Sequence, residues 1–588
     1  MLRDGVPHED GTPATLEELE TLRNSFAAGI RAELADWQAR WISVLQSGEV
    51  PSQVQVDQAA KEFSAGMERV AAEVLGKTVT CSRRAHGWWT KELTAASLER
   101  QRLYKELKSS SSPSNALWQE YLISRRKVKK LARAAKTKSW QKKMDAIYKA
   151  KKRHSSKHMW NLIKSVSKRA PMGSDPLFVR DDDGNITASV EEALEAWRTH
   201  FERVANPADS EHFDANHRDQ IEDEEQRIAA LEPSDPMIEL SVEDIMNALD
   251  TISVGSAPGP DGIGNLALKY GGGHRRKPTD PDVAEDIIRA DYERKEAFAA
   301  LLQTLFQLCS LSRRIPSAWK VADQVPIPKR SAEEDPACRG NFRGITLQSC
   351  TGKLYCRSLV DTYLSDIYEQ QMHHEQGGFR QQRMCAHQHF LLSDTIHRAL
   401  ADDQTLYAVF IDIRKAYPSV WISGLFYKLR RVNPHINDQL IAILKDCITG
   451  GQTRILLRGK RSQPYSSSVG VREGCVESPI LFNFFINDLI DVLRADGCQG
   501  VRYAASLLAA LFADDIVLLS DEKEDMQRAL NTLHPSHRFC SLWRLQVNMS
   551  KTKLMIVGNP INYDPNAPLR IGNAALERVN RYLYLGLW

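Results

Sequence analysis

Apolar residues recur at helical spacing through residues 15–75, where Leu16, Leu19, Leu22 and Phe26 share one predicted face and Ile30, Leu34 and Trp37 another. Gly76 and the run HGWWTKEL, with Trp88 and Trp89, break this pattern before a second long helical stretch. Serines 109–112 and Pro113 interrupt that stretch as a loop. The run LFVRDDDGNITAS predicts a hairpin, with strands at 177–180 and 186–188 and a turn at Asp183-Gly184. LSVEDIMNALDTI opens a helix, with Ser241 as N-cap and Asp244 as its capping-box partner. From there helical and strand periods mix, and two strand-like apolar runs carry acids, LYAVFIDIRKAY and AALFADDIVLLS. No internal repeat is present.

A chain of 588 residues, 42% hydrophobic and 26% charged, is expected to be globular and to hold several domains. The formal net charge of +3 hides a strong asymmetry. Nearly every third residue of 125–169 is Lys or Arg, with Asp145 the only acid, whereas acids dominate 209–250. A basic surface for a polyanion is the expectation. The ten cysteines form no C-x-x-C pair, which argues against a zinc site and a disulfide framework. Residues 1–12 are polar and acidic, unlike a secretory signal, and the longest apolar stretch, 504–519, is broken by Asp514 and Asp515. No membrane association is expected, and an intracellular location, nucleus or cytoplasm, is.

The two acidic strands carry the candidate chemistry. AALFADDIVLLS reads as a β-hairpin with Asp514 and Asp515 at its tip. Alone it reads equally as a solvent-exposed turn, since Asp is a common turn residue. Asp412 lies inside the apolar run 409–413, where an acid suits a strand poorly; the plain alternative is a pairing with Arg414 or Lys415. Set side by side, Asp412 and Asp514 would hold two Mg²⁺ ions about 3.5–4 Å apart, as two-metal phosphoryl transfer requires. The spacing of Asp181, Asp183 and Asn185 is that of a calcium loop, but Gly184 interrupts it and no bidentate Glu follows.

The ordered series FIDIRKAY, GVREGCVESPILFNFFINDLID and FADD resembles the palm of reverse transcriptases of non-LTR, LINE-type retrotransposons. APGPDGIG, VPIPK with NFRGITL, and EQGGFR precede it in the order of that group, and LQVNMSKTKLM and RYLYLGLW follow. The similarity covers about residues 240–588. It implies an α+β right-hand polymerase with an antiparallel palm sheet and helical fingers, preceded by a mainly helical basic region. The implied domains are 1–85, helical; 86–205, basic and helical with the hairpin, a candidate nucleic-acid surface; 206–240, an acidic linker; 241–307, an N-terminal extension with a surface insertion at 271–295; and 308–588, fingers and palm.

The implied activity is RNA-directed DNA synthesis, with an RNA template, a DNA primer, dNTPs and two Mg²⁺ ions, or Mn²⁺ in their place. Asp412, Asp514 and Asp515 would be catalytic and metal-binding. Lys329, Arg343, Tyr417, Arg472, Glu473, Gly474 and Lys551 would meet the nucleotide, Tyr417 by rejecting a ribose 2′-hydroxyl. Leu585 and Gly586 would grip the primer. Surface charge for Lys329, Arg343 and Lys551, and a core aromatic for Tyr417, are the plain alternatives. The chain departs from the pattern at Glu473, where many members carry Gln, at Pro418, where Asp is usual, and at Gly344, where Pro is usual. It stops at Trp588 within the primer-grip resemblance, so the thumb is expected to be absent and the chain to be a fragment. A non-catalytic nucleic-acid-binding remnant is the alternative function, and the oligomeric state is left open. In the basic stretch, Trp140, Tyr148 and Trp160 would contact nucleic acid or serve as core anchors of a solvated helix.

Overall fold

The computed structural model describes residues 15–76, 91–109, 115–152, 176–209, 212–231, 235–273, 285–329, 335–432, 436–504, 506–533, 539–558 and 567–587. Contacts divide the chain into two units, residues 1–76 with 174–588, and residues 77–173. Trp88, Trp89 and Trp160 lie outside the described residues.

The larger unit opens with α1 (Leu16–Glu33), α2 (Ala35–Gln46) and α3 (Gln53–Val74). Thr15 and Ser52 start α1 and α3 by reciprocal capping boxes with Glu18 and Gln55, satisfying amides that no helical carbonyl reaches. Phe26, Ile30, Trp37 and Phe63 are buried in one core with Leu302 and Phe306. Leu16 stays exposed, and Arg23 takes a buried place instead, its guanidinium 4.0 Å over the Tyr270 ring. The smaller unit pairs α4 (Lys91–Ser109) with the much longer α5 (Asn115–Lys152).

Back in the larger unit, Arg180 and Ile186 form the single bridge of the expected hairpin, and Asp181 Oδ1 accepts from the amides of Asp183 and Asn185. That carboxylate thus caps its own turn. The hairpin and α6 (Val190–Ala205) pack Trp197 and Phe201 onto Phe342 and Ile455. Contacts therefore group the chain differently from the expected boundaries: 176–205 belong with the sheet they cover, and 1–76 with the main core. The expected linker at 206–240 contains α7 (Ala215–Ala229), and its acids have a structural use. Glu225, buried, accepts from Arg430 at 3.4 Å and Lys445 at 2.9 Å. Next comes α8 (Val242–Thr251), capped by Ser241 and Asp244 as its sequence predicts. The expected insertion at 271–295 is partly core structure. Residues 285–295 are the first turns of α9 (Glu285–Ser312), and Lys295 pairs with Asp250 at 2.8 Å; residues 274–284 lie outside the described residues.

Two five-stranded sheets position the site. In the first, β1 (Val321–Pro328) pairs antiparallel with β2 (Phe342–Leu347). In the second, β3 (Leu406–Asp412) is central. After it come α10 (Ile422–Val432), β4 (Gln452–Leu457), which joins β1 of the first sheet in parallel, and α11 (Ser478–Ile486). The central strand is flanked by β6 (Asp515–Ser520), with β5 (Ala509–Phe512) outside it, and by β7 (Lys553–Val557), with β8 (Glu577–Arg578) outside that. The pairings of β3, β5, β6 and β7 are antiparallel as expected, but β8 joins β7 in parallel, so the sheet is mixed at that edge. Both faces of β3 are covered, which explains its unbroken apolar run.

Candidate active site

The second sheet brings the three acids together. Asp412, last residue of β3, lies opposite Asp515, first residue of β6. Phe512 pairs with Asp515, so Ala513 and Asp514 form a two-residue turn. Ala513 has φ +57, a sign that tight hairpin turns need and a non-glycine residue takes at a cost. The fold holds it there. Buried Gln376 accepts the amides of Ala513 and Gly378, each at 2.9 Å, while Gly377 donates to the Leu511 carbonyl at 2.8 Å. EQGGFR therefore splints the hairpin that carries Asp514. Neither Gln376 nor its role was legible in the sequence, although the motif around it was.

Asp412 is fixed from the other side. Asn548 donates its side-chain amide to Asp412 Oδ2 at 2.9 Å and its backbone amide to the Asp412 carbonyl at 2.7 Å. Thr552 accepts the Asp412 amide at 3.3 Å, and Lys551 Nζ lies 3.6 Å from Oδ1. The ion-pair partner of Asp412 is thus Lys551, with no described contact to Arg414 or Lys415.

The carboxylates act on one another. Loss of hydration and the neighbouring Asp412 raise the Asp514 carboxyl, against the pull of Arg343 and Lys551. Asp515 is pushed up to about 6, by loss of hydration first and then by Asp514 and Asp412. Acids that hold protons against one another are a donor set that a divalent cation relieves. Among the described residues no three His, Cys, Asp or Glu side chains converge enough to hold an ion unaided. Mg²⁺ suits such an open set, since it takes one or two carboxylates and completes its shell with water and phosphate.

The first sheet and the loop before α11 border this cluster. Arg343 lies opposite Ile327 in the β1–β2 register, and Lys329 donates from Nζ to the Gly340 carbonyl at 3.1 Å. Desolvation lowers the Lys329 ammonium first, then the nearby charges of Lys551 and Arg343, so the three cations are neighbours. Tyr417 stacks on Phe482 of α11 with ring centroids 4.9 Å apart. Burial, then Asp514, raises its phenol. The Glu473 carbonyl accepts the Thr346 amide of β2 at 3.1 Å, and burial raises the Glu473 carboxyl against Arg343 and Lys329. Gly474 follows at φ +105 beside the Thr346 carbonyl. Arg472 is placed differently: it donates to the Lys320 carbonyl at 3.0 Å, in space that a side chain at Gly451 would fill.

Residues 327–588 match the family model for reverse transcriptase (RNA-dependent DNA polymerase). This part of the chain is therefore similar in sequence to reverse transcriptases. The chain is 27% identical over 442 residues to the probable RNA-directed DNA polymerase from transposon BS of Drosophila melanogaster, covering 73% of this chain and 44% of that protein. It is 23% identical over 361 residues to the RNA-directed DNA polymerase from mobile element jockey of the same organism, covering 60% and 35%. The chain thus spans less than half the length of either relative. Among solved structures, apo telomerase from Candida tropicalis truncated from its C-terminal domain aligns over 82% of this chain and 93% of that one, at 11% identity and a TM-score of 0.31.

The end of the matched region folds back on the same sheet. Tyr582 stacks on Phe410 of β3 at 4.1 Å, and Tyr584 and Leu587 exchange backbone hydrogen bonds across a turn made by Leu585 and Gly586, at φ +46 and +88. Asp412 and Asp515 both help raise the Tyr582 phenol, after burial, which sets this hairpin near the acids. The departure at position 344 also has a local cause. A β-carbon at Gly344 would come within 2.3 Å of the Gln324 side chain and 2.7 Å of the Phe201 ring. Helix α6 occupies the space that a larger residue would need.

Proposed function

We propose that the chain is an RNA-directed DNA polymerase that extends a DNA primer with dNTPs on an RNA template. The observation that carries this reading is the register of Asp412 opposite Asp515, with Asp514 in the adjoining turn. Asp412 and Asp514 would hold two Mg²⁺ ions, with Mn²⁺ as a substitute, and Asp515 would add charge beside them. When bound, the ions supply Lewis-acid stabilisation of the attacking and leaving oxygens. The chain's own part is to orient reactants and balance charge. Asn548 and Thr552 hold Asp412; Gln376 holds the turn before Asp514. Lys329, Arg343 and Lys551 form a cationic group suited to a triphosphate. Tyr417, braced by Phe482, would lie under the incoming sugar, with Glu473 and Gly474 beside it. Arg472 would act one step removed, by anchoring the loop to Lys320. The turn at Leu585 and Gly586 would bear on the primer end.

The test is Mg²⁺-dependent extension of a DNA primer on an RNA template, comparing the purified chain with Asp514→Ala. Extension by the parent and a fall of at least about a thousandfold in the variant is the expected result, since a principal ligand is lost. Extension that persists in the variant would overturn the assignment of the site.

A further inference from the structure

The second unit carries a charged surface that the polymerase reading does not use. Helix α4 has 19 residues and α5 has 38, so α4 accompanies only about the first half of its partner. The seam joins Glu92, Ala96, Glu99 and Leu103 of α4 to Glu120 and Ser124 of α5. Beyond Lys127 no described residue of α5 is buried. In the paired half Glu92, Glu99, Glu106 and Glu120 nearly balance Lys91, Arg100, Arg102, Lys105 and Lys108. Residues 125–152 hold thirteen Lys and Arg against the single acid Asp145.

The arrangement around the helix identifies the kind of partner. At 3.6 residues per turn, Arg125, Lys129, Lys130, Arg133, Lys138 and Lys142 spread over about 260° of the circumference. All six are exposed, and among the described residues none of them has a carboxylate partner. Trp140, Met144 and Tyr148, also exposed, fall within that arc instead of opposite it. A helix lying on a membrane keeps its large apolar side chains away from its cations, whereas here Trp140, Met144 and Tyr148 stand among the cations and the uncharged stripe of Val128, Ala132, Ala135 and Ser139 is half-buried. Contact with a single strand would use one side and leave the other cations idle. A groove walled by two phosphate backbones uses both sides. The major groove of B-form DNA, about 12 Å wide, admits a helix, whereas that of A-form RNA is too narrow.

We propose that the unaccompanied half of α5 is a binding site for duplex DNA, seated in the major groove with its cations on both backbones. Independently of the polymerase reading, this gives the chain a hold on DNA outside the cluster of Asp412 and Asp514. The experiment titrates the full chain with a 20-base-pair DNA duplex over a series of salt concentrations. It compares the parent with a combined Lys129→Gln, Arg133→Gln, Lys138→Gln and Lys142→Gln variant. Gln keeps helix propensity, and circular dichroism checks that the helix content is unchanged. The expected result is a Kd at least about tenfold higher in the variant, with the slope of log K against log salt reduced by about three to four. An unchanged Kd in the variant would overturn the proposal. So would an equal or larger loss of affinity, from parent to variant, for an RNA duplex, for single-stranded RNA, or for vesicles containing phosphatidylserine.

Discussion

Asp412 is held by a side-chain amide, a main-chain amide and a nearby ammonium, all from the segment 548–551. A carboxylate that must meet a cation in one orientation needs such support, because free rotation would scatter its lone pairs. Asn548→Ala removes the 2.9 Å bond while leaving every acid in place. The expected outcome is a roughly 10–100-fold rise in the Mg²⁺ concentration for half-maximal extension, read from a metal titration. An unchanged titration would show that Asn548 does not orient Asp412. The same logic explains Gln376, whose one oxygen fixes both its own loop and the turn before Asp514. Chemistry-bearing residues announce themselves by charge; the neutral amides that aim them do not.

Among the elements, the loop from Gly470 to Gly474 depends on backbone geometry. Gly470 sits at φ +88, and a β-carbon there would come within 2.6 Å of the Pro418 carbonyl oxygen. Its amide donates to the Val420 carbonyl at 2.8 Å, and Val471 donates to the Tyr417 carbonyl at 2.9 Å. The loop is thereby tied to the segment that presents Tyr417. Gly470→Ala is expected to cost about 1–3 kcal/mol in denaturant unfolding and to displace the loop. The KM for dNTP should then rise, which a loss of folded enzyme alone would not cause. Equal stability and KM in the variant would show that the close approach is dispensable.

At the scale of the molecule, Lys428 is a charge placed inside the core. Its ammonium donates to Asp488 at 2.6 Å and to the Phe485 carbonyl at 2.7 Å, and it lies 3.8 Å from the Trp543 ring centroid. Burial lowers its pKa from 10.5 to about 8, with Asp488 opposing the shift. Between those values the unfolded chain binds the proton more strongly, so folding stability attributable to this group rises with pH. Below about pH 8 both states are protonated and the full penalty, roughly 3 kcal/mol, is present. Unfolding free energies at pH 7.5 and 9.5 should differ less in Lys428→Met than in the parent. The same pH dependence in both would assign it to other groups.

The sequence by itself determined many of the elements and the candidate residues of the site. Capping at Ser241, the strand run ending at Asp412 and the hairpin at Asp514 and Asp515 are local patterns, and local backbone physics suffices to form them. The ordered motifs also brought Lys329, Arg343 and Lys551 together as candidates for one site. Tertiary structure alone decided which distant groups meet. The acidic stretch read as a linker holds Glu225, buried against Arg430 and Lys445, because a charge run does not disclose whether its partner is water or protein. Leu16 lies outside the core while Arg23 lies within it, since periodicity defines a face but not how far along the helix that face is covered. Arg472 points its guanidinium at Lys320, and Asn548 reaches Asp412 across 136 positions. Pairings of that separation come from the register of the sheet, which is set by packing over the whole chain and by no single segment of it.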